Sequence, residues 1–227
     1  MHFADQVIAF TRQLRLPTIG LPPGFEWLFP YSDPETLRAL TAFYQKYYAG
    51  PGERHFIFGI NPGRFGAGVT GVPFTDPVRL EADCGIANSF PKKQELSAQF
   101  VWHFIRAYGG PEAFCSDFYI TSLSPLGFVR GGININYYDD RQLLKAVEPF
   151  IVWNIRTQLE FGARREAAIC LGEGQNFKAF QKINAAHGFF REIIPLPHPR
   201  WVMQYRRKRL EEFIEQYVAT LRSLSAG

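Results

Sequence analysis

The sequence predicts an α/β fold: a three-layer α/β/α sandwich around a central, mostly parallel sheet of four strands. Short apolar segments that suit buried strands alternate with helical segments of about 10 to 20 residues, the pattern of a parallel sheet covered on both faces. Of the 227 residues, 46% are hydrophobic and 20% are charged, an ordinary globular composition. This length predicts a single domain over residues 1–227, with a helical N-terminal extension at about residues 1–50.

The four predicted strands are short and almost wholly apolar, as expected of strands buried on both faces. They are residues 55–60, 117–122, 166–171 and 190–196. The strands that end at Ile60, Ser122 and Leu196 are each followed by an unusual loop. Because ligands bind at the carboxyl ends of parallel strands, we expect one site built from these three distant segments.

The other apolar-periodic segments are predicted helices, at residues 2–14, 34–48, 95–108, 139–161, 174–186 and 205–224. A connector rich in proline and glycine, residues 16–32, separates the first two helices. A second segment rich in glycine and proline, residues 61–77, follows the first strand and is predicted to be a long loop.

The bulk properties narrow the class of protein. The net charge of +4 fits a polyanionic partner without establishing one. Three widely spaced cysteines lack the paired spacing of zinc or iron–sulfur sites, so we expect no metal and no cofactor. The N-terminus lacks a signal-peptide pattern, and no apolar run approaches the roughly 18 residues of a membrane helix. We therefore expect a cytoplasmic protein with no membrane partner.

The segment after the first predicted strand carries the most specific motif. It comprises GINPGRFG at residues 59–66 and TGVPF at residues 70–74. Glycine and proline fix a rigid path and let the backbone approach a ligand closely. The segment lacks the Gly-Lys-Ser/Thr ending of a P-loop and the glycine spacing of a dinucleotide site. Its composition alone is also compatible with a simple tight strand-to-helix loop.

Both halves of this segment resemble the first motif of the uracil-DNA glycosylase superfamily, in its single-strand-selective monofunctional (SMUG-type) branch. The similarity continues through residues 95–97, 104–106, 122–126 and 198–199, and so spans roughly residues 55–205. The resemblance implies a uracil-DNA glycosylase-like fold and a monomeric, metal-free DNA glycosylase of base-excision repair. Such an enzyme flips uracil or a related base out of DNA and hydrolyses its N-glycosidic bond without cutting the strand.

The resemblance also implies roles for individual side chains. Asn61 matches the residue that positions water, since an amide cannot act as a base at neutral pH; the alternative is an Asn-Pro turn. Phe74 matches the aromatic ring that stacks on the flipped base, with core packing as the alternative. His198 matches the histidine that binds the departing base. Backbone amides at Ile60, Gly63 and Phe65 are expected to bind the base or the water.

The sequence departs from the branch at the residue that usually reads the base edge. Ser122 stands where an asparagine is typical, and a hydroxyl reads that edge less discriminatingly than an amide. Asn134 and Asn136, just downstream, are candidates to substitute for it. This pattern indicates a divergent, bacterial-looking second subgroup, and it leaves open whether uracil, hydroxymethyluracil, hypoxanthine or xanthine is preferred.

A second departure follows His198, where Arg200 replaces an expected serine. The apolar and aromatic residues after it suit a wedge that enters the base stack, and nearby cations suit phosphates; the alternative is a helix start packed on the core. The expected DNA-contacting residues are Arg200, Trp201, Val202, Met203, Gln204, Arg206 and Arg207. Lys92 and Lys93 are either a further phosphate contact or an exposed loop pair.

Two other classes of function compete with a glycosylase. A binding module that recognises damaged DNA without chemistry predicts tight, salt-sensitive binding and no abasic product. An unrelated α/β enzyme acting on free nucleotides predicts that residues 201–205 are packed core and that DNA does not compete.

Overall fold

A computed structural model describes residues 2–226. Its strands are β1 (Phe25–Leu28), β2 (Arg54–Gly59), β3 (Phe118–Ser122), β4 (Gly127–Arg130), β5 (Ile133–Ile135), β6 (Ala163–Leu171) and β7 (Glu192–Leu196). The central sheet has the order β3-β2-β6-β7, and all its pairings are parallel. Every residue of β2 and β3 is buried because helices flank the sheet. The predicted fold class is confirmed, with its four strands displaced by at most a few residues.

The helices are α1 (Phe3–Gln13), α2 (Pro34–Tyr47), α3 (Ala67–Thr70), α4 (Pro77–Ala82), α5 (Leu96–Tyr108), α6 (Pro111–Asp117), α7 (Arg141–Leu159), α8 (Gln175–His187), α9 (Pro199–Tyr205) and α10 (Leu210–Ser225). Helices α3, α4 and α6 are short and lie in segments without a helical prediction. The predicted helix at residues 205–224 is wrong at its start, because a 3-10 turn at Arg207–Arg209 separates α9 from α10.

A second, antiparallel sheet has the order β1-β4-β5 and was not predicted. Strands β4 and β5 form a hairpin in which Arg130 faces Ile133, so the turn is only Gly131-Gly132. Both glycines have positive φ, as two-residue hairpin turns require. Strand β1 lies inside the segment predicted as a connector, where its four residues are too few to show a period.

The N-terminal helices belong to the main apolar core. Phe3 of α1 is 3% exposed and packs with Tyr48 and Phe56. The buried guanidinium of Arg54 lies 4.4 Å from the centre of the Phe3 ring. Burial of these aromatic rings ties the first 50 residues to the central sheet.

The strand order determines where the loops meet. From β2 the chain goes to β3 on one side and later returns to β6 on the other, so the order reverses beside β2. Crevices at such reversals, outside the carboxyl ends of the strands, are the usual ligand sites of open α/β sheets. None of the helices described in residues 2–226 is both long and apolar enough to cross a membrane.

Candidate active site

A cleft opens at the carboxyl edge of the central sheet. It encloses about 830 Å³, including the part open to solvent. Nine predicted site residues line it: Ile60, Asn61, Gly63, Phe74, Ser122, Asn134, Asn136, His198 and Arg200. The loops that follow β2, β3 and β7 therefore meet at one place, as expected from the strand ends.

The side-chain amide of Asn61 is held in one orientation by the last residue of β5 and the segment after it. Its Nδ2 donates to the carbonyl oxygen of Ile135 at 3.2 Å, and its Oδ1 accepts the backbone N–H of Tyr137 at 3.1 Å. These partners fix which amide atom is oxygen, because a carbonyl only accepts and a backbone N–H only donates. A carboxamide oxygen has two lone pairs, so one remains to accept a hydrogen bond from a water molecule.

The ring of Phe74 lies against the end of β2, where only glycine leaves room for it. A Cβ atom at Gly59 would lie 2.7 Å from Cε2 of Phe74. Phe74 is the one residue other than glycine with positive φ within residues 2–226, a backbone state that persists only where its surroundings hold it. The Phe74 and His198 rings are 6.2 Å apart between centroids, so they form adjacent walls of the cleft.

The imidazole of His198 is neutral and carries its proton on Nε2. Its Nδ1 accepts the backbone N–H of Arg200 at 3.2 Å, which requires an unprotonated Nδ1. Burial, followed by the charge of Arg200, lowers the pKa of His198 to about 4. Within residues 2–226, Nε2 has no hydrogen-bond partner, so its N–H is available as a neutral donor.

The backbone around His198 is fixed by neighbouring elements. Proline on both sides restricts the segment. The buried hydroxyl of Tyr217 on α10 donates to the carbonyl oxygen of Pro197. Gly172, which follows β6, would place a Cβ 3.9 Å from the imidazole. The histidine thus has little freedom to leave the cleft.

We expect the imidazole of His198 to stay neutral, as the Nε2–H tautomer, from pH 8 down to about pH 5. An unfolded chain binds this proton near pH 6.5, whereas the folded chain binds it only at about pH 4. The free energy of unfolding should therefore fall as the pH drops between these values. Two-bond ¹H–¹⁵N spectra, assigned with His198→Gln, report both the tautomer and the midpoint. A protonation midpoint near pH 6.5 would contradict the neutral state proposed for His198.

Three polar side chains line another wall of the cleft. Ser122 is 8% exposed, and its hydroxyl has no hydrogen bond to any residue in the described range 2–226. Asn134 accepts the backbone N–H of Arg64 through Oδ1 at 3.3 Å, which leaves its Nδ2 without a partner in that range. Asn136 donates from Nδ2 to Asp139 at 3.3 Å. The Ser122 hydroxyl and the Asn134 amide are therefore the groups free to bind a ligand.

Glu95 is a cleft residue for which the sequence indicated no role. Its carboxylate lies directly against Gly66, where a Cβ would overlap it. Burial and then Asp76 raise the pKa of Glu95, while Arg200 and the backbone amides of Phe65 and Gly66 lower it. The carboxylate thus holds the far end of the segment that begins at Asn61. This contact joins distant residues, so only the coordinates reveal it.

Phe65, predicted to bind the base, is not among the residues that line the cleft. Its side chain is 38% exposed. The ring instead lies beside two cations, with the Arg64 guanidinium 5.0 Å and the Lys93 ammonium 4.4 Å from its centre. The physical reason is the turn at residues 63–66, which directs this side chain out of the cleft.

Two of the predicted wedge residues are buried and so not available as a wedge in this structure. Val202 and Met203 are 0% and 4% exposed, because this face of α9 packs against α5. Trp201 and Tyr205 remain 38% and 60% exposed, and the Arg206 guanidinium lies 4.8 Å from the centre of the Trp201 ring. The other predicted contact residues are exposed: Arg200, Gln204, Arg206 and Arg207.

Within residues 2–226, no three His, Cys, Asp or Glu side chains are grouped so as to hold a metal ion. The three cysteines are buried and unpaired with one another.

Comparisons with known proteins identify the family of the chain. The model of the uracil DNA glycosylase superfamily matches residues 46–222. The solved structure of wild-type Pedobacter heparinus SMUG2 is 43% identical, with all of both chains covered and a TM-score of 0.96. No curated protein sequence matches the chain. From the family match and the full-length structural likeness, the chain belongs to the uracil DNA glycosylase superfamily, in its SMUG-type branch.

Proposed function

We propose that the protein is a monofunctional DNA glycosylase that hydrolyses the N-glycosidic bond of flipped-out uracil and related bases in base-excision repair. The observation that carries the proposal is the state of His198. A neutral imidazole with a free Nε2–H faces a cleft that also holds the oriented amide of Asn61. His198 can stabilise the departing base anion, and Asn61 can hold the attacking water molecule. The hydrolysis requires both.

The chemistry follows from how charge moves as the bond breaks. The sugar becomes positive at its anomeric carbon and the base becomes negative on its carbonyl oxygen. Donation from Nε2 of His198 strengthens as that oxygen gains charge, so it lowers the barrier rather than merely binding the substrate. A neutral donor suits this task because its pKa of about 4 keeps it in one state at neutral pH. Water held at Oδ1 of Asn61 then adds to the sugar, and the proton that it releases neutralises the departed base anion.

The other cleft residues account for recognition of the base. Phe74 offers a ring face on which a flipped base can stack. The Ser122 hydroxyl can donate or accept, and Nδ2 of Asn134 can only donate. Both suit bases that present a carbonyl oxygen, a feature that uracil shares with hydroxymethyluracil, hypoxanthine and xanthine. This pair of groups supports a base preference broader than uracil alone.

The cleft also supports hydrolysis without strand cleavage. Cleavage by a glycosylase needs an amine that attacks the sugar and forms a Schiff base. No lysine is among the residues that line the cleft in the described part of the chain. We therefore propose an abasic site, with both phosphodiester bonds intact, as the product.

The fit between Gly59 and Phe74 predicts a large effect from one methyl group. In Gly59→Ala the new Cβ would lie 2.7 Å and 2.9 Å from the Phe74 ring, so the ring must leave its position. Loss of one stacking face should lower kcat/KM for excision by roughly 5- to 100-fold. Gly20→Ala is the matched control, since no atom lies within 4 Å of its Cβ. Equal kcat/KM for the two variants would contradict the assigned role of Phe74.

The proposed function is tested by a direct assay for abasic product. Purified protein is incubated with oligonucleotides that carry one uracil, hydroxymethyluracil, hypoxanthine or xanthine, each as a single strand and as a duplex. Alkali then cuts any abasic site, and gels without alkali report strand cleavage. We expect alkali-dependent cleavage with uracil and at least one other base, and intact strands without alkali.

Two results would overturn the proposal. Salt-sensitive binding to every oligonucleotide without abasic product would indicate a binding module. Turnover of free nucleotides that DNA does not inhibit would indicate an unrelated enzyme. The double variant Asn61→Ala with His198→Ala serves as the inactive reference for both assays.

A further inference from the structure

An exposed aromatic ring flanked by cations lies next to the cleft and has no role in the proposed chemistry. We name Arg64, Phe65 and Lys93 the Phe65 patch. Phe65 is 38% exposed and belongs to neither apolar cluster of the core. The cations of Arg64 and Lys93 lie 5.0 Å and 4.4 Å from its ring centre. Packing within the protein therefore does not explain why this position carries phenylalanine.

The cations of the Phe65 patch lack acidic partners. Within residues 2–226, neither Arg64 nor Lys93 has a carboxylate within 4.0 Å. Nε of Arg64 is shielded from solvent and has no hydrogen-bond partner in that range, although buried N–H groups normally have one. The neighbouring Lys92 differs, because its ammonium pairs with Glu81 at 2.7 Å and bonds Asn88. Of the adjacent lysines in the described residues, Lys93 is free to bind an anion and Lys92 is not.

The patch lies at the mouth of the cleft. Arg64 and Phe65 directly follow Gly63, which lines the cleft, and Lys93 lies two residues before the lining residue Glu95. The turn that carries Arg64 and Phe65 is bonded to Asn134 and packs against Glu95, so the patch is fixed relative to the cleft. A strand whose nucleotide enters the cleft is therefore within reach of the patch.

This combination of groups matches one kind of partner. Unpaired cations bind backbone phosphates, and an exposed ring stacks on a base whose own neighbours do not cover it. In a duplex the bases beside a flipped nucleotide stay stacked and paired, whereas in a single strand they are free to turn onto a protein ring. The patch therefore fits an unpaired nucleotide better than a paired one.

Resting on the proposed function, we infer that the Phe65 patch binds the nucleotide adjacent to the flipped one in single-stranded DNA. Phe65 stacks on the base of that nucleotide, and Arg64 and Lys93 contact its flanking phosphates. The patch thus adds a second base-binding position outside the cleft and favours single-stranded substrates. The Phe65 ring contributes affinity for single-stranded DNA that does not depend on salt, and the two cations contribute the salt-dependent part of that affinity.

The test measures DNA binding without requiring catalysis. The probe is a fluorescent oligonucleotide with one tetrahydrofuran abasic analogue, used as a single strand and as a duplex, with Kd measured by anisotropy at several salt concentrations. Phe65→Ala should weaken single-strand binding by roughly 5- to 100-fold with an unchanged salt slope. It should weaken duplex binding much less. Phe65→Trp should restore single-strand binding.

The two adjacent lysines provide a matched pair. Lys93→Ala should reduce the slope of log K against log salt by about 0.7 for a single strand, the value for one lost phosphate contact. Lys92→Ala should leave the slope unchanged, because its charge is already paired. The side chains of Phe65, Lys92 and Lys93 are exposed, so the thermal midpoints of the three variants should match that of the wild type.

Each outcome decides the inference. Wild-type binding by Phe65→Ala, equal losses on single strand and duplex, or equal slopes for the two lysine variants would overturn it. These binding results do not depend on turnover. Excision of uracil with wild-type binding by the variants would therefore refute this inference alone, whereas the expected binding losses without any excision would refute the proposed function alone.

Discussion

Replacing His198 with alanine is expected to lower the single-turnover rate of uracil excision by about 100- to 1,000-fold, the usual effect of losing one donor to a developing anion. The variant removes the Nε2–H that is free in the cleft. Affinity for the tetrahydrofuran oligonucleotide should change little, since that ligand has no base to accept the bond. Rapid-quench measurement at saturating enzyme gives the rate.

The leaving group offers a sharper control for the same variant. 5-Fluorouracil is a better leaving group than uracil because its anion is intrinsically more stable. If His198 stabilises the anion, His198→Ala should slow excision of 5-fluorouracil less than excision of uracil. Equal losses on the two bases would mean that the histidine acts on binding or on structure, and would contradict its assigned role.

Replacing Asn61 with alanine is expected to reduce excision by about 100-fold or more, the cost of a misplaced reactant. The variant loses the oxygen proposed to hold water and the two bonds to Ile135 and Tyr137. Aspartate should not restore the rate, because one of its oxygens would face the Ile135 carbonyl oxygen, which can only accept. Single-turnover rates of both variants provide the measurement.

The matched control for Asn61→Ala is Asn184→Ala. The Asn184 amide also makes two backbone bonds, both to Phe190 at 2.9 Å, but it lies on α8 outside the cleft lining. Both variants should have lower thermal midpoints, and only the Asn61 variant should lose activity well below its midpoint. Similar rates for the two variants would show that Asn61 serves structure alone.

The central sheet was predictable because its strands are buried on both faces. Residues 55–60 are apolar almost throughout, so the segment is readable without knowing what covers it. The small sheet was missed because β1 and β5 have only four and three residues. A usable signal was present in Gly131-Gly132 between apolar segments, the mark of a two-residue hairpin.

The residues that line the cleft were predictable only where they belong to a motif or follow the end of a strand. Asn61, Phe74 and His198 all line it. The neutral state of the histidine depends on a contact to Arg200 and on burial, which sequence does not encode locally. Val202 was misplaced because an apolar residue after the motif suits a wedge and a helix face equally, and packing against α5 decided between them.

The position of β1 also bears on where this enzyme can be cut. The superfamily match begins at residue 46, yet β1 at Phe25–Leu28 pairs with β4 and so supports the hairpin that orients Asn61. The Leu28 side chain would lie within 3.0 Å of a Cβ at Gly68 or Gly127, so it packs directly on the segment after Asn61. A truncation at the boundary of the sequence match would therefore leave a chain with every proposed catalytic residue present and the support of the Asn61 amide removed.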